Sequence, residues 1–591
     1  MKKNYTLFLS FISMIAYSQN PTITIDIGNV VTSDSLMKPI LGVISGPDAN
    51  YNSANANLTT QFQNIGVTSI RNNDYSDDRL DMDLMFNCGG ATYPSWGSCS
   101  PTVSANYNFT ASDIQYSSYV SGGFEPFLRL GSENPPTSGP FVKDNIGPIN
   151  STEETNWIIA ADTVAKHYSN FPGGNGGLQY LNVWTEWPNS FSFWPRPNSE
   201  FYPFFTSAVS QLKTSHPTKK VGGPGMLSSY MNKGLPVAAN EPYQLVKYMY
   251  QNNVKPDFFT FHVFSSNPMN YYNASKQYSD MLLGVGSFNG VPWAGTGFFD
   301  TTELIIDAWG NTNNPTNEFG ASTGTYNPTD MDKYLAKKEG STAFLAAWAV
   351  LQRANVERGY YYRSGDMGPT TSAALANGAS LGLFYGDGSY KRVAYAFKMC
   401  ANLYSNYNKI LNTSLINVTN QNDSIFCLSG MSINGTKALL IANTTMKNID
   451  VNLTVNGSSI VSANYSSIEY YLIDNTSDGT NPQVWNPSIT NTIASQTGVL
   501  VVLTPINVVS VAENRTSSDI TVYPNPTNGD VNIILQNQNL VSTKIYNLIG
   551  ELIQEVYTSE FSISNLPNGI YFLQIQTNNS TYTSKIIKNN P

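Results

Sequence analysis

The sequence predicts a (β/α)8 (TIM) barrel followed by a β-sandwich and a small all-β C-terminal unit. Three observations carry this. Short apolar runs alternate with longer amphipathic stretches from about residue 22 to 400. After Asn406 the pattern changes to β-rich alternation broken by turns. A polar stretch, SVAENRTSSD (510–519), then precedes a last β-rich segment. Strand–helix alternation over this length predicts a parallel sheet, and the number of units favours a closed eight-stranded barrel. The expected boundaries are a signal peptide at 1–18, the barrel at 19–405, the sandwich at 406–510, a linker at 511–519 and the terminal unit at 520–591.

Each element has its own signal. The opening MKKNYTLFLSFISMIAYSQN combines Lys2 and Lys3 with an apolar stretch from Leu7 to Ala16, and Ala16-Tyr17-Ser18 offers a small-x-small cleavage site. A short buried helix is the alternative reading. No other segment approaches the ~18 apolar residues of a membrane span, so an exported protein is expected. Barrel strands are read at GVTSIR (66–71), FEPFLRLG (124–131), YLNVWTEW (180–187), KKVGGPG (219–225), PDFFTFHVF (256–264), TELIIDAWG (302–310) and RGYYYRSG (358–365). Helix-like stretches such as 155–171 and 340–354 lie between them. KALLIANTT, DVNLTVNG, SSIEYYLID and GVLVVLTPINVVSV read as antiparallel sandwich strands. Cys88 and Cys99 flank a Gly- and Ser-rich loop and are expected to bridge it. Cys400 and Cys427 either tie a helix to the next strand or stay as two buried thiols.

Composition narrows the function. Only 12% of the 591 residues are charged, about half the usual share, and 12% are aromatic. That excludes a disordered chain. The net charge of −9 comes without a Lys/Arg stripe, which argues against a nucleic-acid partner. No Cys/His spacing suggests zinc. No P-loop, dinucleotide fingerprint or Gly-x-Ser-x-Gly elbow occurs, and the chemistry read below needs no cofactor.

In a parallel barrel, reactive groups sit at the carboxyl ends of the strands. Those ends deliver Arg71, Asn72, Asn73 and Asp74; Arg129 and Glu133; Glu186; His262; Asp307 and Trp309; and Tyr362, Arg363 and Asp366. Two carboxylates on well-separated strands, with aromatics and a histidine, suit glycosidic cleavage. Trp184, Trp187, Trp194 and Trp309 are candidate stacking surfaces, at least one of them core. Of the three histidines, His167 and His216 are expected on the surface. His262 ends a strand, as a satisfied core residue or as a sugar contact.

Two resemblances add to this reading. VYPNPTNG (522–529), KIYNLIGELI (544–553), LPNGIYFLQI (566–575) and the closing Lys585–Lys588 segment resemble the C-terminal sorting domain of the type IX secretion system of Bacteroidota. This implies export to the cell surface or medium, with the secretion machinery as a partner. VWTEWPNSFSFW is similar to the Val-Trp-Asn-Glu-Pro-Asn segment of clan A glycoside hydrolases, in particular family 39, which includes β-xylosidases and α-L-iduronidases. KKVGGPG, PDFFTFHVF and TELIIDAWG resemble that family's later segments in the same order.

The family resemblance implies that Glu186 is the general acid/base. The flanking indoles are expected to desolvate its carboxyl and raise its pKa; the alternative is a Glu merely paired at a strand end. The nucleophile departs from the pattern, because aligning Trp309 puts Ala308 at that position. Asp307, one residue earlier, is the expected nucleophile if a bulge turns it inward; Glu318 is the alternative. Thr185 stands where the clan has Asn. Arg71, Arg129 and Arg363 either bind sulfate or carboxylate bidentately or pair with Asp74, Glu133 and Asp366. With Asn73, Trp184, Trp187, His262, Trp309 and Tyr362 they form the expected substrate-binding set. The favoured substrate is a sulfated algal polysaccharide. An exo-acting xylosidase-like enzyme on neutral oligosaccharides and a non-catalytic glycan-binding barrel are the alternatives.

Overall fold

The computed structural model describes residues 20–31, 35–48, 56–72, 79–90, 96–131, 147–171, 177–188, 194, 196–227, 239–311, 334–366, 381–416, 425–506, 520–535, 538–547, 551–578 and 581–589. The expected signal peptide and linker, together with Asn73, Asp74, Glu133 and Glu318, lie outside the described residues. The chain forms two compact units, Met1–Pro505 and Ile506–Pro591.

The first unit begins with β1 (Thr22–Val30). The barrel then runs β2 (Gly42–Ile44), β3 (Ser69–Arg71), β4 (Glu125–Leu130), β5 (Tyr180–Val183), β6 (Lys220–Leu227), β7 (Phe258–Ser265), β8 (Glu303–Asn311) and β9 (Arg358–Tyr361). All neighbours pair in parallel, and β2 closes on β9 through Gly42 opposite Tyr360 and Val43 opposite Tyr361. Seven of these strands carry a sequence signal. β2 does not, because its three residues, all buried, are too few to show a pattern. Strands covered on both faces read as continuous apolar runs, and β5 and β7 are buried along their whole length. Phe127, Tyr180, Phe258, Ile305 and Tyr360 fill the barrel interior. Below them Lys220 pairs with Glu303 and Arg358 with Glu125, each on the first residue of its strand. That end of the barrel is closed by ion pairs, which leaves the opposite end for chemistry.

β1 departs from the expected layout. Its buried residues alternate, Ile23, Ile25 and Ile27 inward with polar residues between them, as in a sheet with one covered face. It joins the sandwich, antiparallel to β10 (Lys409–Ile416) and parallel to β13 (Ile449–Val455). The sandwich is therefore mixed, and it spans both ends of the barrel sequence. Its other strands are β11 (Ile425–Met431), β12 (Lys437–Asn443), β14 (Ser458–Ser459), β15 (Tyr465–Ile473), β16 (Asp478–Val484), β17 (Asn491–Ile493) and β18 (Thr497–Pro505), in a ten-stranded sheet ordered β14-β13-β1-β10-β11-β12-β18-β15-β16 with β17 on β13. The helix Lys338–Arg353, after β8, docks the sandwich on the barrel. Leu345 lies against Gly498, where a Cβ would come within 2.1 Å of its Cδ1, and Arg353 Nη2 donates to the Cys427 carbonyl at 2.7 Å.

Cys88 and Cys99 are joined, as expected. Cys400 and Cys427 are separate buried thiols, and burial pushes the Cys427 thiol up to about 12. The second unit stacks a sheet of Ile520–Tyr523, Asp530–Leu535 and Glu560–Ser562 and a sheet of Leu552–Val556, Leu540–Tyr546, Gly569–Thr577 and Thr581–Lys588 around Ile533, Ile545, Leu573 and Ile586.

Close packing of β6 on β7 makes a specific demand. A Cβ on Gly222 would sit 1.9 Å from the Phe258 carbonyl oxygen, whereas one on Gly569 would meet nothing within 4 Å. Gly222→Ala should destabilise the first unit by about 3 kcal/mol, seen as a clear drop in thermal midpoint by circular dichroism. Gly569→Ala should leave the midpoint of the second unit within error.

Candidate active site

The chain leaves β5 through a turn that aims Glu186. Trp184 and Glu186 both take left-handed backbone angles, φ +72° and +47°, which non-glycine residues hold only when their surroundings dictate it. The surroundings here are aromatic. Trp184 is packed among Trp157, Trp194, Phe201 and Phe204, and Trp187 stacks on Phe201 at 4.7 Å. Trp309 stacks on Phe344 beside Tyr271 and Tyr361. All four indoles, Trp194 included, are buried to 2% exposure or less. This corrects the expectation that Trp184, Trp187 and Trp309 offer stacking surfaces: the rings are core, and they anchor the turn. The Glu186 side chain, 27% exposed, is what reaches solvent.

On β8 the register decides which carboxylate faces inward. Phe261 pairs with Ile306, but the next residue of β7, His262, pairs with Ala308, so Asp307 is the extra residue of a bulge. Both Asp307 and Ala308 then face the barrel interior, where Ala308 joins the cluster containing Phe264 and Tyr360. Asp307 is fully buried and meets three partners. Arg71 Nε lies 3.3 Å from Oδ2, Asn182 Nδ2 donates to Oδ2 at 3.2 Å, and His262 Nε2 lies 3.3 Å from Oδ1. A buried carboxylate requires such company; removing one charged partner typically costs about 3–5 kcal/mol.

The network extends through the strand mouths. Arg71 Nη2 donates to Thr185 Oγ1 at 3.0 Å, so Thr185 holds the arginine that holds Asp307. Thr260 Oγ1 donates to Asn182 Oδ1 at 3.2 Å and accepts from the Gly225 N–H at 2.6 Å. Gly225 needs its φ of +69° and its lack of a side chain, because a Cβ would lie 3.0 Å from the Glu186 nitrogen and 3.1 Å from His262 Nε2. His262 itself is buried, with Nδ1 4.0 Å from Glu186 Oε1. Its imidazole therefore stands between the two candidate carboxylates.

Other residues fall differently from expectation. Arg129 pairs with Asp81, and its backbone is pinned by Asn72, which accepts from the Arg129 N–H at 2.6 Å and donates to its carbonyl at 3.2 Å. Asp366 pairs with Lys391 at 2.7 Å. Arg71 and Arg129 are thus committed to carboxylates inside the protein, which corrects their expected role as a fork for sulfate. Tyr362 and Arg363 follow β9, with Tyr362 against Phe264 and the buried Arg363 guanidinium 5.9 Å from the Tyr362 ring centre. His167 contacts Asp113 and stacks on Phe109. His216 is not a surface residue: it is 6% exposed and meets Asp162 at 2.9 Å. Among the described residues no group of three His, Cys, Asp or Glu converges as for a metal. Asn182, Thr260 and Asp81 escaped the sequence reading. Asn182 lies four residues before Glu186, on the strand that leads into its turn, which was its only visible signal.

Comparison with known proteins agrees with this architecture. Residues 98–282 match the model of glycosyl hydrolases family 39. Residues 521–589 match the secretion system C-terminal sorting domain, which marks the protein for the cell surface or the medium. Among solved structures, a glucosidase from Croceicoccus marinus is 17% identical with a TM-score of 0.58, covering 83% of this chain and 100% of its own. A β-xylosidase from Caulobacter crescentus CB15 is 13% identical with a TM-score of 0.55, over 82% and 100%. The family 39 enzyme from Xanthomonas axonopodis pv. citri is 13% identical with a TM-score of 0.53, over 84% and 100%. These likenesses establish the fold. An ulvan lyase from Nonlabens ulvanivorans is 34% identical over 83 residues, 13% of this chain and 16% of its own length. The chain thus spans about a sixth of that curated relative.

Burial drives the His262 pKa down, but Asp307 and then Glu186 outweigh it, against a smaller opposing effect of Arg71, and the net shift is upward. A group raised above its unfolded value of about 6.5 stabilises the fold below that pH, and the contribution is lost as pH rises through the folded value. The gap in thermal midpoint between wild type and His262→Gln should be widest in mild acid and narrow toward alkaline pH. A gap independent of pH would show that the imidazole is uncharged.

Proposed function

We propose that the barrel is a retaining glycoside hydrolase, with Glu186 as acid/base and Asp307 as nucleophile. The observation that carries this is the pair of carboxylates at the mouths of the fourth and seventh barrel strands, one on each side of His262. Glu186, the more exposed, protonates the glycosidic oxygen as the bond to the anomeric carbon breaks. Asp307, oriented by Arg71 and Asn182, attacks that carbon from the opposite side. Water, deprotonated by Glu186, then releases the sugar with its configuration retained. His262, its pKa raised by both carboxylates, stands between them.

The proposed substrate is an extracellular polysaccharide. Sulfated and neutral members of that class are distinguished by the experiment below. A second reading, a barrel that holds glycans without cutting them, is favoured by one observation: Ala308 occupies the aligned nucleophile position while Asp307 has no exposed side-chain surface.

Reducing-end release from sulfated and neutral polysaccharides, together with aryl glycosides for exo action, separates these readings. Glu186→Gln and Asp307→Asn should each lower kcat by roughly 10²–10⁴-fold, while Glu318→Gln stays near wild type. The first-formed anomer, followed by proton NMR, should retain the substrate's configuration. Activity lost in Glu318→Gln but kept in Asp307→Asn would move the nucleophile to Glu318. Binding without cleavage across the panel would leave the glycan-holding role.

A further inference from the structure

A separate cleft opens where the barrel meets the sandwich. It has a volume of about 270 Å³ and lies beyond the end of β7, between Ser266 and Asn267 on one side, Tyr334, Glu339 and Thr342 on another, and Gln496 of the sandwich. Ser266 is four residues past His262, and at about 3.3 Å per strand residue it stands roughly 13 Å from that histidine. The cleft is therefore on the same face of the barrel as the candidate carboxylates, at a remove larger than one contact.

The chemistry of the lining is consistent. Hydroxyls and amides dominate it, and one carboxylate oxygen of Glu339 is buried without accepting any hydrogen bond. Burial and then the neighbouring Glu339 carboxylate hold the Tyr334 phenol up. No Arg, Lys or His is among the described residues lining the cleft. Lys338, the adjacent cation in sequence, is turned away and donates to the Ser495 carbonyl at 2.7 Å. The sandwich side is fixed as well: the Gln496 N–H donates to the Thr445 carbonyl at 3.1 Å, and the Thr445 hydroxyl donates to Asn443 Oδ1 at 2.7 Å. The Glu339 carboxylate, lining the cleft among neutral donors and acceptors, matches vicinal sugar hydroxyls, which donate to a carboxylate and accept from amides. It repels sulfate and uronate groups.

We infer that this cleft is a remote subsite for an uncharged sugar unit of the same glycan chain, with Glu339 and Gln496 as its recognition residues. The inference rests on the reading of the barrel mouth as the cleavage site. It also makes the sandwich part of the substrate surface, and it restricts any charged unit of the chain to the barrel mouth.

Binding and cleavage test it separately. The full-length Glu186→Gln chain is titrated calorimetrically with hexamers of xylose, glucose, galactose and mannose, with the corresponding dimers, and with a sulfated carrageenan hexamer. Glu339→Gln and Gln496→Ala are introduced one at a time. Both alter side chains at the cleft rim, so circular dichroism should stay unchanged. At least one neutral hexamer should bind, and each variant should weaken it roughly fivefold or more while leaving the dimers unmoved. In the otherwise wild-type enzyme the same variants should raise KM for the long substrate and spare kcat. Unchanged affinities, no binding of any neutral hexamer, or a preference for the sulfated hexamer that depends on Glu339 would each overturn the inference. Hexamer binding that depends on Gln496, without cleavage of any substrate by the wild type, would keep the subsite and sink the hydrolase reading.

Discussion

The contact on which the site depends is between Asp307 and the two basic side chains that face it, Arg71 and His262. A carboxylate with no exposed surface is tolerated only when its charge is matched and its oxygens are occupied. The bulge in β8 forces this arrangement, because it turns Asp307 inward with Ala308 instead of letting the two alternate. Once Asp307 points into the barrel, the positions of Arg71, Asn182 and His262 follow from its charge, and Thr185 follows from Arg71. One register shift between β7 and β8 therefore organises groups drawn from four strands and one turn.

The aromatic residues supply the rigidity this needs. Trp184, Trp187 and Trp194 are buried among helix residues Trp157, Phe201 and Phe204, and they hold the turn after β5 in left-handed backbone angles. Packing energy, distributed over several rings, thus fixes the direction of a single glutamate. The same economy appears at Gly225, where missing side-chain volume lets Glu186 and His262 approach each other. At the opposite end of the barrel, ion pairs on the first residues of the strands close the floor, so solvent access and reactive groups coincide at one face.

The sandwich is more than an appendage. It is assembled from β1, which precedes the barrel, and from strands that follow it, so the barrel sequence is enclosed between two parts of one sheet. The helix Lys338–Arg353 packs on both bodies, and through it the sandwich turn carrying Gln496 is held near the barrel face that carries Glu186 and Asp307. The sorting unit stands as a separate compact body with its own core.

The sequence by itself determined the alternation that makes a barrel, the disulfide loop, the sorting unit, and Glu186 just past a strand end, whereas His262, expected at a strand end, lies within β7. These are written locally, in periodicity, spacing and short motifs. β1 carried a readable signal as well, since TITIDIG alternates like a half-buried strand. Only the tertiary structure decided which way the side chains point. The tryptophans around Glu186 looked like a sugar platform because sequence proximity does not distinguish a ring facing the mouth from one facing the helices. Arg71 and Arg129 looked available because Asp307 and Asp81, which engage them, are 236 and 48 residues away. The bulge at Asp307 was a condition that the sequence could state and not resolve, because register depends on the hydrogen bonds of the neighbouring strand. Charge pairing and face selection are long-range properties, and folding alone fixes them.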